Sequence, residues 1–252
     1  MLFNSIVYGP IHSRRLGVSL GMNLMPITAK LCTFDCVYCE CGWNKPILHP
    51  ILPTREEVRE ALLRQLSILE TPLDVITFSG NGEPTLHPEF LGIIQDTCAL
   101  RDEYAPLAKV SVLSNSTQLG REDVMKALQM CDNRILKLDS AVDSTMRLID
   151  KPVNAQLTVR QVVEWLARFD GDFTLQTCFL KGEYEGQAID NTTDEELAAW
   201  YAVVDTLRPK QVMIYVIDRE TPLKTLEKIP IGKMQQIATP LREKGIDVIV
   251  SV

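Results

Sequence analysis

No apolar run in the 252 residues can cross a bilayer: the longest, residues 212–217, is a strand's worth, against the ~20 residues a membrane helix needs. The opening stretch MLFNSIVYGPIHSRR lacks a basic start followed by an apolar segment, so nothing reads as a signal peptide and the expectation is a cytoplasmic protein. Positive charge is in deficit. Lys and Arg number 26 against 33 Asp and Glu, a formal charge of −7, which argues against a general polyanion binder and gives no strong nucleic-acid signal. A small basic pocket stays open, with Arg14 and Arg15 its obvious donors. Histidine is scarce as well: His12, His49 and His87 read as structural or exposed. Linkers, low-complexity stretches and short-period repeats are missing, so the economical reading is one domain over residues 1–252.

What the chain does have is alternation. Strand-like runs at 17–24, 74–79, 108–114, 134–139, 173–179, 211–217 and 246–252 are separated by amphipathic helical patterns. Three helices open on capping boxes, Thr54…Glu57, Thr158…Gln161 and Thr193…Glu196. Weaker patterns occupy about 88–101, 121–130, 143–149 and 231–244, the last interrupted by Pro240. Strand and helix alternating in this way predict an α/β fold of parallel strands with outer helices. In such folds chemistry gathers beyond the C-terminal ends of the strands.

Just after the first of those strands, four of the seven cysteines fall within ten residues: Cys32-Thr-Phe-Asp-Cys36-Val-Tyr-Cys39-Glu-Cys41. In a cytosolic chain such crowding means metal or redox chemistry before it means disulfides. Two metal readings stand beside a third, that these are buried small hydrophobes. A [4Fe–4S] cube held by three thiolates leaves one iron open to a ligand, whereas all four cysteines could close a tetrahedral zinc site. The next strand ends in Ser79-Gly80-Asn81-Gly82-Glu83-Pro84-Thr85-Leu86. Two glycines around Asn81 let the backbone turn with φ > 0 and bare its amides and carbonyls, for a plain turn or for a ligand.

Together the two segments resemble the radical S-adenosylmethionine (radical SAM) superfamily. The likeness rests on Cys32-x3-Cys36-x2-Cys39 with Tyr38 before the third cysteine, and on Gly82-Glu83-Pro84 with Asn81 where a first glycine would stand. It extends to a branch of iron–sulfur oxidoreductases related to 4-demethylwyosine synthase, carried by GPIHSRRLGVSLGMN at 9–23, LSNST at 113–117, LKLDS at 136–140, RLIDKP at 147–152 and IYVIDRETP at 214–222. Neither a second N-terminal cysteine group nor room for a flavodoxin-like domain accompanies these motifs, so the resemblance implies a minimal, single-cluster catalyst on a partial (β/α)6-type TIM-like barrel.

The resemblance implies that Cys32, Cys36 and Cys39 hold a [4Fe–4S] cluster and that S-adenosylmethionine chelates the open iron. It implies reductive cleavage to a 5′-deoxyadenosyl radical, hydrogen abstraction from a small-molecule or modified nucleoside substrate, and an electron donor such as flavodoxin or ferredoxin. Gly80, Asn81, Gly82 and Glu83 are then expected around the methionine amino end, Tyr38 beside the adenine, and Ser114 and Asn115 at the ribose or carboxylate. Asp139 is expected at ribose or substrate, or else as a helix cap, Gln176 in the lumen or structural, and Ile217 offering backbone to the adenine. Arg14 and Arg15 either bind an anionic substrate or pair at the surface, and Asp218 and Arg219 are weaker substrate candidates. Cys41, Asp139 and Arg15 are the catalytic candidates. Cys41 is expected not to ligate the cluster, because a fourth thiolate would close the open iron, and either packs on the loop or donates hydrogen. A glycyl-radical-enzyme activase is the rival enzyme reading, and a non-catalytic zinc or iron–sulfur module the rival of another class.

Overall fold

The computed structural model describes residues 2–13 and 16–251. The chain divides into two compact units, one of residues 1–32 and 44–135, the other of residues 33–43 and 136–252. In the first, β1 (Val7–Ser13) pairs antiparallel with β2 (Gly17–Asn23), and β2 runs parallel to β3 (Val75–Ser79), which runs parallel to β4 (Lys109–Ser114). Between these strands lie α1 (Arg55–Ser67), α2 (Phe90–Tyr104) and α3 (Glu122–Met130). The Thr54…Glu57 capping box is formed, and Val58, Leu62 and Leu66, spaced four apart, make the buried stripe of α1. Strand β5 (Asn133–Lys137) carries the chain from the first unit into the second.

In the second unit α4 (Asp143–Asp150) and α5 (Val159–Ala167) precede β6 (Thr174–Cys178). A small antiparallel sheet follows, built from β7 (Leu180–Tyr184) and β8 (Gln187–Asp190). Next come α6 (Asp194–Leu207), β9 (Gln211–Tyr215), the two-residue β10 (Glu227–Lys228, paired with β7), α7 (Ile231–Glu243) and β11 (Asp247–Ser251). Strands β6, β9 and β11 are parallel neighbours in that order. Their apolar residues, Leu175, Val212, Met213 and Ile214 among them, are almost fully buried, as expected where helices cover a parallel sheet. The expectation of an α/β fold with mostly parallel strands holds, and seven observed strands fall within a residue or two of the seven expected.

Two local expectations are corrected. Thr193 caps α6 by accepting from the Glu196 amide, but the box is not reciprocal, because the Glu196 carboxylate accepts instead from Ser140 Oγ at 2.7 Å. Pro240 does not interrupt α7, which runs through it to Glu243. A proline forfeits one N–H donor, and the buried stripe Met234, Ile237, Ala238 and Leu241 holds the helix on both sides of that gap.

Candidate active site

The cysteine loop is shared out between the units: Cys32 belongs to the first, and Cys36, Cys39 and Cys41 to the second. Each half is built by different means.

In the first unit the segment before Cys32 is stitched to the turn after β3. Leu31 N donates to Asn81 O (2.9 Å), Glu83 N donates to Leu31 O (3.1 Å), and Leu31 and Gly82 form a parallel bridge. Gly82 is required there. Its φ is +150°, and a Cβ would stand 1.8 Å from the Leu31 carbonyl oxygen, so a side chain cannot be placed without breaking the bridge. Asn81, where the resemblance has glycine, is fully buried and is used as a clamp. Its Oδ1 accepts from Phe3 N (2.8 Å), and its Nδ2 donates to the carbonyls of Phe3 (2.7 Å) and Pro26 (2.9 Å).

Glu83 is buried, and its carboxylate gathers Thr85 N (3.1 Å), the Thr85 hydroxyl, Ser114 Oγ (2.9 Å) and Asn115 N (2.7 Å). Burial raises its pKa, opposed by the hydrogen bonds from Asn115, Thr85 and Ser114. The carboxylate thereby ties the β3 turn to the end of β4. Ser114 Oγ also accepts from Ser116 N (3.1 Å). Asn115 Oδ1 is held by Thr117 N and Oγ1, which turns Nδ2 toward Cys32 Sγ, 3.4 Å away. Asn44 Nδ2 donates to Cys32 O at 3.2 Å. His87 is structural: Nδ1 accepts from Glu89 N (3.1 Å), which makes Nε2 the donor to Pro53 O (2.8 Å).

In the second unit two successive turns shape the loop, Cys39 N donating to Cys36 O (3.1 Å) and Gly42 N to Cys39 O (2.9 Å). The first turn brings Cys36 and Cys39 to its two ends. The loop is seated on the end of α4 and the residues after it. Val37 N donates to Ile149 O and Asp35 N to Asp150 O (both 2.9 Å), Phe34 bridges Pro152, and Val153 N donates to Thr33 O (2.9 Å). Lys151, at φ +45°, turns the chain out of α4, so the RLIDKP segment is the bed of the cysteine loop.

Under the loop lies a buried charged network. Lys137, from β5, places Nζ 3.0 Å from Cys36 Sγ, pairs with Asp150, and stands 3.2 Å from Asp139 Oδ2. Burial pulls this ammonium's pKa down, but the negative charge of Asp139, Asp150 and an ionised Cys36 outweighs it and holds the pKa well above the usual lysine range. Tyr38 donates its hydroxyl to Asp139 Oδ2, and Cys178 N donates to Asp139 Oδ1 at 2.9 Å. Asn191 Nδ2 grips the backbone carbonyls of Asp139 (2.7 Å) and Cys178 (2.8 Å). Tyr215 reaches the Tyr38 hydroxyl at 3.5 Å and meets its ring edge-on. Burial first, then Asp139, raises the Tyr38 pKa well above that of a free phenol, so it is a neutral donor at physiological pH.

The remaining expected residues are scattered. Gln176 is buried on β6, with Nε2 3.5 Å from Met213 Sδ. Ile217 packs on the apolar cluster of Val37, Ile149, Cys178, Leu180 and Ile189. Arg219 pairs with Glu40, the residue after Cys39, at 2.7 Å, and Asp218 lies 3.7 Å from Lys228. Cys41 is half-buried in the second turn of the loop. Arg14 and Arg15 lie outside the described residues.

Lys137, Asp150 and Tyr215 were not among the residues singled out in the sequence. All three nevertheless lie in the segments LKLDS, RLIDKP and IYVIDRETP quoted above, and Lys137 also stands out as a lysine set in the apolar strand run Ile-Leu-Lys-Leu. Among the described residues no three His, Cys, Asp or Glu side chains converge as a single metal ion requires. Thiolates on separate irons of a cube need no common point. The donors aimed at Cys32 and Cys36 suit sulfurs that carry negative charge, so these residues fit an iron–sulfur ligand set.

The family model of the Radical SAM superfamily matches residues 27–190. A UPF0026 protein of Helicobacter pylori (strain ATCC 700392 / 26695) is 31% identical over 225 residues, 87% of this chain and 68% of that protein. Streptococcus suis SuiB bound to S-adenosylmethionine is similar in structure, with a TM-score of 0.64 at 10% identity, over 91% of this chain and 50% of that one. TYW1 with a lysine–pyruvate adduct bound gives 0.62 at 14% identity, over 89% of this chain and 73% of that one. The two structures show a shared fold, and this chain spans only half of SuiB. The cysteine spacing, the glycine turn bridged to Leu31 just before Cys32, and the family match agree: the chain belongs to the radical SAM superfamily of enzymes.

Proposed function

We propose that this enzyme binds a [4Fe–4S] cluster through Cys32, Cys36 and Cys39, and uses it to cleave S-adenosylmethionine reductively and act on a small molecule or a modified nucleoside or base. The observation that carries the reading is the Leu31–Gly82 bridge, which joins the approach to Cys32 with the GNGEP turn in one hydrogen-bonded unit. When bound and reduced, such a cluster supplies one electron to S-adenosylmethionine, giving methionine and a 5′-deoxyadenosyl radical that takes a hydrogen atom from substrate.

The chain's own residues position and enclose. The turn from Gly80 to Glu83 holds the methionine amino end through its backbone, since the side chains of Asn81 and Glu83 are engaged within the fold. Ser114 and Asn115 stand at the end of β4 for the ribose or carboxylate, with Asn115 also donating to Cys32. Tyr38 lies beside the adenine with Asp139 locking its hydroxyl, while Gln176 and Ile217 complete the cofactor side. Asp139, Cys41 and Arg15 remain the catalytic candidates. Cys41 sits outside the ligand set. A low-potential donor of the flavodoxin or ferredoxin kind supplies the electron.

The test is anaerobic reconstitution followed by reduction and assay of 5′-deoxyadenosine. Wild type and Cys41→Ala hold about four irons and form 5′-deoxyadenosine, whereas Cys32→Ala, Cys36→Ala and Cys39→Ala lose both iron and product. Stoichiometric zinc without iron, or a cluster-replete reduced enzyme that forms no 5′-deoxyadenosine alone or with its substrate, contradicts the proposal.

A further inference from the structure

Lys137 is not accounted for by that function. Its side chain is only 9% exposed, in a setting where an ammonium is costly to hold unless it is paired and fully hydrogen-bonded. Two carboxylates, Asp139 and Asp150, pair it. The rings of Phe34 and Tyr38 enclose it at 4.8 and 5.2 Å from their centroids. A further contact of the ammonium is spent on a sulfur, Cys36 Sγ at 3.0 Å, short for N–H···S.

We propose that Lys137 is a positioning residue that raises the reduction potential of the cluster through a charge-assisted N–H···S hydrogen bond to Cys36. The inference rests on reading Cys36 as a cluster ligand. Reduction places one more electron on the irons and their sulfurs, so a donor at a ligating sulfur stabilises the reduced form more than the oxidised one. Hydrogen bonds to sulfur, net charge and solvent exposure are the levers a protein has on such a centre. A cationic donor outdoes a neutral one, and burial keeps water from screening it.

Asp139 and Asp150 lie against the ammonium and offset its charge, so the effect on the sulfur rests on the directed N–H donor. They also aim it. The backbone carbonyl of Asp150 seats Asp35 of the cysteine loop while its side chain holds the lysine, which fixes donor and loop to one residue. The neighbouring ligand Cys32 has a carboxamide from Asn115 at the longer distance of 3.4 Å.

The experiment is a redox titration followed by electron paramagnetic resonance without S-adenosylmethionine, with an iron assay on each sample. It uses wild type, Lys137→Met, Lys137→Arg and the double variant Lys137→Met/Asp150→Asn. The double variant removes the lysine and one of its acidic partners together, so the donor is lost without leaving Asp150 as an unpaired carboxylate, and it carries the test should Lys137→Met fail to fold. At the wild-type midpoint potential, Lys137→Met is expected to hold at least tenfold less reduced relative to oxidised cluster, a midpoint ~59 mV lower. The double variant should move the same way by at least about threefold, and Lys137→Arg should stay closer to wild type than either. An unchanged midpoint in a cluster-replete Lys137→Met or double variant overturns the proposal. So does loss of all iron from both in folded protein, which would assign Lys137 to holding the loop. Failure of wild type itself to bind iron would instead remove the reading of Cys36 as a ligand, and is seen before any variant is made.

Discussion

Cys32 and Cys36 are four residues apart, yet their surroundings are opposite in kind. Around Cys32 the supporting groups are backbone amides, carboxamides and hydroxyls, organised by one buried carboxylate, Glu83, with four donors. Around Cys36 they are a buried ammonium and two buried carboxylates, closed by two tyrosines. A network of neutral donors loses about one hydrogen bond's worth when a member is removed. A charged network loses far more, because the survivor is a bare buried ion. The two halves of one ten-residue loop should therefore respond very differently to single substitutions.

The charged half breaks hardest. Lys137→Met strands Asp139 and Asp150, and urea unfolding of the iron-free protein should show a loss of roughly 3–5 kcal/mol. Adding Asp150→Asn should return part of that loss. A cost below about 1 kcal/mol for Lys137→Met would mean the network is hydrated and not a buried charge cluster. On the neutral side, Asn115→Ala leaves Thr117 N and Oγ1 without their acceptor, and Glu83→Gln sets an amide against four donors. Each should cost about 1–3 kcal/mol in the same assay, while iron content stays near wild type and affinity for S-adenosylmethionine falls. Loss of iron on either change would show that these residues hold the segment around Cys32 itself.

The smallest effect is a pH dependence confined to the first unit. Burial lowers the pKa of His87, partly offset by its bond to the Pro53 carbonyl, and its Nδ1 already accepts from Glu89 N. A histidine whose folded pKa is depressed takes up protons more readily when unfolded. Its contribution to stability is complete above the unfolded value of about 6.5 and is lost as pH falls below it. His87→Gln should flatten the wild-type decline between pH 7 and pH 5 in thermal melts. A variant that keeps the full wild-type slope would place the titration elsewhere.

Much of this was legible in the sequence. Seven parallel-type strands announced themselves as apolar runs, and Thr54 and Thr158 cap α1 and α5 as their spacing predicted. The antiparallel strands were not legible. In β1, VYGPIHS, and in β7 and β8, LKGEY and QAID, most residues are exposed or half-buried, so they carry no continuous apolar run and depend on pairing partners. Glu196 satisfied the local capping pattern but was drawn away by Ser140, 56 positions distant in sequence. The site divides in the same way. Cys32, Cys36, Cys39 and the glycine turn are visible as spacing, because a cysteine-rich loop and a tight turn are local. Lys137, Asp150 and Tyr215 come from three separate elements and acquire their meaning only from one another. Asn81 is intermediate: the turn around it was evident, but its grip on Phe3 and Pro26 was not.

The contrast between the two cysteines is tested most directly by titrating Asn115→Leu beside Lys137→Met/Asp150→Asn, each loaded with cluster, and comparing both midpoint potentials with wild type. A charged donor at Cys36 and a neutral one at Cys32 predict that both shifts are negative and that the Lys137 variant moves further. A shift at Asn115 equal to or larger than that at Lys137 would contradict the account, since the buried charge beneath Cys36 would then exert no greater pull on the cluster than a single carboxamide.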